Sequence, residues 1–194
     1  MPHERLGQVI YIKHDIVLQI TGIFVYFCDM LIALEGFMGS GKTSVGRILS
    51  DALGCPFIDL DEVIVRKAGR SIPAIFEADG EPGFRRLEKQ ALEQTVSKYA
   101  GSTAVIALGG GTVTVPGAVK LLQQKTLCIY LRAGLETLKA RLEGQTAGRP
   151  LAGEGLEERL AAREPLYEAA AHITIDTDGL SPDQIADEII IDCL

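Results

Sequence analysis

The chain reads as a single α/β domain with a parallel sheet covered on both faces, and three observations carry that reading. From Met30 onwards, short and almost wholly apolar segments alternate with amphipathic ones. That is the pattern of strands buried on both sides and joined by crossover helices. The first apolar segment runs straight into a glycine-rich turn that opens a helix, the context of a phosphate-binding loop. The length of 194 residues suits one domain with a real core, and no internal repeat or linker divides it.

Met30–Glu35 is the first strand and Gly36–Lys42 the turn. Thr43–Leu53 reads as a helix, with Val45, Ile48, Leu49 and Ala52 at helical spacing and Gly54 as its stop. Pro56–Leu60 is a second strand closing on Asp59 and Asp61, and Asp61–Ala68 is a helix ended by Gly69. Ser71 caps a short helix through Ala78, and Glu81–Tyr99 is a long helix with Phe84, Leu87, Ala91, Leu92 and Val96 as its buried stripe. Thr103–Leu108 is a strand that leads into Gly109-Gly110-Gly111. Pro116–Gln123 (helix), Thr126–Leu131 (strand) and Leu135–Leu142 (helix) follow. Glu143–Gly155 breaks the alternation: it holds glycines at 144, 148, 153 and 155, one proline and one cation, Arg149, and reads as a mobile insert. Leu156–Ala171 returns to helix, with Pro165 a candidate kink, and His172–Asp176 is the last strand. Ser181-Pro182 opens the final helix as cap and first helical residue.

Hydrophobic residues make up 47% and charged residues 23%, the balance of an ordinary globular protein. A net charge of -7 argues against a general nucleic-acid binder, which needs a basic face. Cys28, Cys55, Cys128 and Cys193 form no CxxC pair and read as reduced thiols of a cytoplasmic protein rather than as zinc ligands. The run from Ile16 to Leu34 is mostly apolar but is interrupted by Gln19, Thr21 and Asp29, and its end is needed as the strand before the turn. Residues 1–29 are therefore expected to be a β-rich arm of unknown role, or the product of an upstream start codon, rather than a membrane anchor.

The strongest chemical signal is Gly36-Phe37-Met38-Gly39-Ser40-Gly41-Lys42-Thr43. Its glycines let backbone N–H groups converge on phosphate oxygens, and the following helix adds its N-terminal dipole. Gly39, Ser40, Gly41 and Ser44 belong to that cradle for ATP; Lys42 supplies a charge to the β- and γ-phosphates and Thr43 a hydroxyl to Mg²⁺. Asp59 and Asp61, at i and i+2 on a strand, point the same way, beyond the carboxyl end of the sheet. One can reach Mg²⁺ and the other can accept a proton from an attacking hydroxyl. Alternatively, Asp61 caps the helix that follows. The strand ending at Leu108 has no acid, only Gly109, Gly110 and Gly111, which makes Asp59 the better metal partner and lets a ligand approach bare backbone. Arg85, with Glu88 at i+3, and Arg163, which interrupts the apolar face of Leu156, Leu160 and Tyr167, are candidate anion readers or else members of structural ion pairs. Arg149 reads as a lid arginine or as a solvated loop residue.

Taken together, the motifs resemble the shikimate kinase family. The resemblance runs from about Met30 to the C-terminus, through GFMGSGKTSVGR (36–47), FIDLDEVI (57–64), GRSIPAIFEADGEPGFRRLE (69–88), ALGGGTV (107–113), GRPLAG (148–153) and REPLYEAA (163–170). It implies a three-layer P-loop kinase fold with a five-stranded parallel sheet of order 2-3-1-4-5 and a mobile lid at about 143–155. It implies ATP-dependent phosphorylation of the 3-hydroxyl of shikimate on the route to chorismate and the aromatic amino acids, by a monomer. By position, Lys42 binds phosphate, Thr43 and Asp59 hold Mg²⁺, and Asp61 meets the acceptor hydroxyls as base or orienting group. Arg85, Arg163 and the triple glycine hold shikimate. Arg149 reaches ATP from the lid, with Arg141 a candidate on the adenine side; Phe76, Phe84, Glu88, Pro150 and Leu151 shape the pocket. The lid departs from the family pattern in reading RPLAG, without a second large apolar residue. A GTPase switch is excluded on the residues, since the chain holds no asparagine for a guanine-reading Asn-Lys-x-Asp motif.

Overall fold

The computed structural model describes residues 30–143 and 155–194 in full, together with the backbone of β1 (Gln8–Ile12), β2 (Asp15–Ile20) and β3 (Ile23–Phe27). These three strands pair antiparallel in the order β1-β2-β3. The apolar stretch ahead of the P-loop thus contains strand rather than helix, and among the described residues no helix is long and apolar enough to cross a membrane.

The second sheet carries the site. It comprises β4 (Leu31–Glu35), β5 (Phe57–Asp59), β6 (Ala104–Ala107), β7 (Leu127–Arg132) and β8 (Ile173–Asp176), hydrogen-bonded in parallel in the order β5-β6-β4-β7-β8. Counted from β4, that is 2-3-1-4-5. Every residue of β4 and β6 is buried, as expected for central strands with helices on both faces. Because side chains alternate across a strand, Leu31 and Ala33 enter one core and Ile32 and Leu34 the other. The first core is closed by residues of α2 (Leu60–Ala68), α3 (Ile72–Lys98), α4 (Ala118–Lys125), α5 (Leu135–Leu142) and α6 (Leu156–Ala170), among them Ile64, Leu92, Leu122, Leu138 and Tyr167. The second is closed by α1 (Lys42–Leu53) and α7 (Pro182–Glu188) through Val45, Leu49 and Ile185. The result is three layers.

Several expected boundaries move. β5 is only three residues long and ends at Asp59; α2 begins at Leu60 and takes Asp61 into its first turn. The two acids therefore do not sit at i and i+2 of one strand. The cap of α2 is Asp59, not Asp61: its Oδ1 accepts from the amides of Asp61 at 3.0 Å and Glu62 at 3.4 Å. The short and long helices expected around residue 80 are joined end to end as α3, broken at Gly80, whose φ of 66° is left-handed. Pro165 lies inside α6, which continues to Ala170. Ser181 caps α7 with Pro182 in its first turn, and Gln184 completes a capping box.

Candidate active site

The carboxyl ends of β4, β5 and β6 open onto one cavity of about 450 Å³, where open α/β sheets take their ligands. The turn after β4 is curled by Gly36, Gly39 and Gly41 at φ 138°, 85° and 99°, values that residues with a Cβ adopt only under strain. Gly39, Ser40, Gly41, Lys42, Thr43 and Ser44 all line the cavity. The Lys42 Nζ donates to the carbonyls of Gly36 and Phe37, each at 2.8 Å, so the ammonium lies across the start of the turn. Arg141 also reaches the cavity. Its guanidinium donates to Thr177 Oγ1 at 3.1 Å and the Thr177 carbonyl at 2.7 Å, close to the start of α7.

Thr43 Oγ1 donates to Asp59 Oδ2 at 3.1 Å, while the other carboxylate oxygen caps α2. One hydroxyl and one carboxylate oxygen beside a phosphate cradle suit Mg²⁺, which keeps waters and phosphate oxygens and takes few protein ligands. Among the described residues no group of three His, Cys, Asp or Glu side chains is placed to hold a metal, so a metal there would draw its remaining ligands from nucleotide and water.

The opposite wall is built by the turn after β6. A Cβ on Gly109 would stand 2.8 Å from Glu88 Oε1 and 3.1 Å from Asp61 Oδ1; on Gly110, 3.0 Å from the Met38 amide nitrogen; on Gly111, 2.5 Å from the Arg85 guanidinium. Each glycine thus admits a different neighbour. Arg85 is clamped on both sides: Nη1 meets Glu88 Oε2 at 2.5 Å, and Nη2 meets Glu81 Oε1 at 2.9 Å. Burial opposes its charge, but Glu88 and Glu81 outweigh that and hold it charged. Glu88 is fully buried and its second oxygen accepts from Thr112 Oγ1 at 2.7 Å.

Arg163 is 7% exposed. It donates to the Gly110 carbonyl at 3.1 Å and lies 5.6 Å over the Phe37 ring, and among the described residues it makes no ion pair. The Tyr167 hydroxyl donates to the same Gly110 carbonyl. The alternative of a structural acid for Arg163 finds no support among the described residues, whereas Arg85 has two such acids. Phe76 and Phe84, with ring centroids 4.8 Å apart, line the cavity with Asp61 and Glu88. Arg149, Pro150 and Leu151 lie outside the described residues.

A model of the shikimate kinase family matches residues 38–194. The chain belongs to the shikimate kinase family. Curated relatives include the shikimate kinases of Symbiobacterium thermophilum, 42% identical over 167 residues covering 83% of this chain and 94% of that one, and of Enterococcus faecalis, 42% identical over 82% of this chain and 95% of that one. Among solved structures, shikimate kinase from Acinetobacter baumannii in complex with shikimate superposes with a TM-score of 0.76 at 38% identity, covering 83% of this chain and 90% of that one.

Sequence reasoning passed over several groups that frame this kinase site. Glu81 stands four residues before Arg85, a helical spacing that could have shown it. Thr112 and Glu88 are 24 residues apart and carry no local signal. Glu35, the acid that ends an otherwise apolar β4, was visible in the sequence as a break in that strand's character.

Proposed function

We infer that this chain is a shikimate kinase, transferring the γ-phosphoryl group of ATP to the 3-hydroxyl of shikimate and releasing ADP. The observation that carries the acceptor's identity is the wall facing the P-loop. Two arginines, Arg85 and Arg163, meet a triple glycine and Asp61 in the cavity that also holds the nucleotide cradle. A small carboxylate carrying hydroxyls matches that wall: guanidinium groups take the carboxylate in parallel hydrogen bonds, and a carboxylate orients the hydroxyls.

In this reading the amides of the turn from Gly39 to Ser44 cradle the phosphates, and the Lys42 ammonium leaves the carbonyls of Gly36 and Phe37 for the β- and γ-phosphates. Thr43 and Asp59 hold Mg²⁺, which neutralises developing charge on the phosphate oxygens when bound. Glu81 and Glu88 keep Arg85 aimed at the shikimate carboxylate, and Phe37 and the Gly110 carbonyl do the same for Arg163. Asp61 accepts the proton of the 3-hydroxyl or orients it for in-line attack. The segment 143–155 closes as a lid, bringing Arg149 to the transferred phosphoryl group and excluding water, with Arg141 on the nucleotide side. The three described cysteines are free thiols, in keeping with a cytoplasmic enzyme, and we place it there as a monomer.

The test is a coupled ADP-release assay on the full chain with Mg·ATP and shikimate, beside gluconate and a nucleoside monophosphate as alternative acceptors. Shikimate-dependent ADP release is expected. A folded, ATP-binding sample that releases no ADP on adding shikimate, or that prefers another acceptor, would overturn the assignment.

A further inference from the structure

Glu35 closes β4 directly before the P-loop, and the reaction described above makes no use of it. Its backbone is in register with Tyr130 of β7, and its side chain enters the sheet face that carries Leu31 and Ala33. It is 1% exposed, and among the described residues no ordinary hydrogen bond reaches either carboxyl oxygen; only the weakly donating Cys128 thiol is set against it. Such under-satisfied buried groups are rare and call for an explanation.

The groups that face it come from three elements. α1 supplies Lys42, β7 supplies Cys128 and Tyr130, and α6 supplies Tyr167, beside which Arg163 is engaged with the Gly110 carbonyl. β6 carries no titratable side chain on this stretch. Burial pushes up the Cys128 thiol and both tyrosine hydroxyls, with Glu35 adding to it at Cys128 and Arg163 opposing it at Tyr167, so they remain neutral beside the acid. Lys42 is the cation that acts on Glu35, and its Nζ rests 2.8 Å from the carbonyls of the two residues that immediately follow Glu35 in the chain. Burial pushes the Glu35 carboxyl up to about 8, with the Cys128 thiol and Lys42 pulling it part of the way back.

We propose that Glu35 is a positioning residue for the P-loop lysine: as a neutral acid it leaves the Lys42 ammonium to the ATP phosphates, and as a carboxylate it draws that ammonium towards the sheet. The step releases one proton to solvent and needs no co-reactant. A carboxylate in a dry site attracts a neighbouring ammonium far more strongly than one in water, so the ionised form competes with the nucleotide. Bound ATP takes Lys42 away and leaves an ionised Glu35 without its counter-charge, so nucleotide binding favours the proton on Glu35. The effect therefore falls on the KM for ATP and spares kcat at saturation. This inference rests on the reading that Lys42 holds ATP phosphates.

The experiment compares the full wild-type chain with Glu35→Gln and Glu35→Val, measuring KM for ATP and kcat at saturating shikimate and Mg²⁺ from about pH 6.5 to 9.5. Both variants remove a buried ionisable group. The competent fraction falls to roughly a tenth one pH unit above the midpoint, so wild-type KM for ATP should rise roughly tenfold between about pH 7 and 9. In both variants it should rise less than about twofold. A buried acid with a purely structural role would shift unfolding midpoints without producing this KM-against-kcat split. Infrared difference spectra report Glu35 directly: the protonated-carboxyl C=O band should be lost as wild type passes its midpoint and be absent in Glu35→Gln. A wild-type KM that stays flat, or a rise that persists with the same midpoint in Glu35→Gln, overturns the proposal. If the band titrates and nucleotide affinity, read by calorimetry, does not change with it, Lys42 is not the partner and the proposal fails while the kinase assignment stands. A chain that binds no ATP at any pH overturns that assignment and this inference with it.

Discussion

The turn after β4 and the turn after β6 leave adjacent strands, and both are made largely of glycine. In the first, Gly41 has open space around the position of a Cβ, with nothing nearer than Val45 at 3.9 Å, but its φ of 99° is left-handed. In the second, Gly111 has an ordinary φ of -111°, but a Cβ there would stand 2.5 Å from the Arg85 guanidinium. Gly41 is needed for its backbone conformation and Gly111 for room, while Gly36 in the first turn needs both, since a Cβ there would stand 2.6 Å from the Leu131 carbonyl oxygen. In the proposed function, conformation shapes a cradle of amides for any nucleotide, while room lets specific side chains press close and select one acceptor. The nucleotide wall is therefore generic and the acceptor wall particular.

That division can be broken, and the largest test is Asp61→Asn. Turnover should fall by about 10²–10⁴ while ATP binding, followed by calorimetry, is retained. A parallel loss of nucleotide affinity would remove the division of labour. Next is Glu35, which sits beneath the nucleotide wall. Its folded-state pKa of about 8 lies above its ordinary value of 4.5, so the folded chain holds a proton that the unfolded chain releases. Stability is thus highest below about pH 4.5 for this group, declines as pH rises, and levels off above about pH 8. Glu35→Val should lack that decline. In urea unfolding it should exceed wild type by roughly 3–4 kcal/mol at about pH 9 relative to the difference at pH 5.

A crossed pair sharpens the comparison of the two turns. Gly111→Ala should raise the KM for shikimate by roughly tenfold, through about 1–3 kcal/mol of overpacking against Arg85, and spare the KM for ATP. Gly41→Ala should do the reverse, through about 1–2 kcal/mol of backbone strain. Steady-state kinetics with each substrate varied in turn reads both. The smallest effect is expected from Thr112→Val, which leaves one oxygen of the buried Glu88 without its donor. The cost should be about 1–2 kcal/mol, visible as a several-fold rise in the KM for shikimate.

Legibility in the sequence followed the same line. The strand alternation, the parallel sheet and the P-loop were readable because their signals are local: apolar runs, glycine spacing and a lysine at a fixed offset. The exit of β5 was misjudged by one residue, because nothing in Ile58-Asp59-Leu60-Asp61 marks where strand becomes helix. That error made Asp61, rather than Asp59, the alternative candidate for the cap. On the acceptor wall, Asp61, Arg85, Arg163 and the triple glycine were legible as candidates, but their assignment to shikimate came from the resemblance to a family, and their supports were hidden because Thr112 on Glu88 and Tyr167 on Gly110 join residues 24 and 57 apart along the chain. Glu35 shows a third case: the acid was in plain view, but its burial with no donor stronger than the Cys128 thiol depends on packing from three elements.

The seat of Gly110, 3.0 Å from the Met38 amide nitrogen by way of a Cβ it lacks, leaves no compliant layer between the two walls. Arg163 braced on the Phe37 ring spans the same seam. Two binding surfaces set this close are expected to respond together when either is filled, and measuring the affinity of each ligand with and without the other checks it. Thermodynamic reciprocity then requires a single number for both directions: whatever factor bound nucleotide applies to the dissociation constant of shikimate, bound shikimate applies to that of the nucleotide.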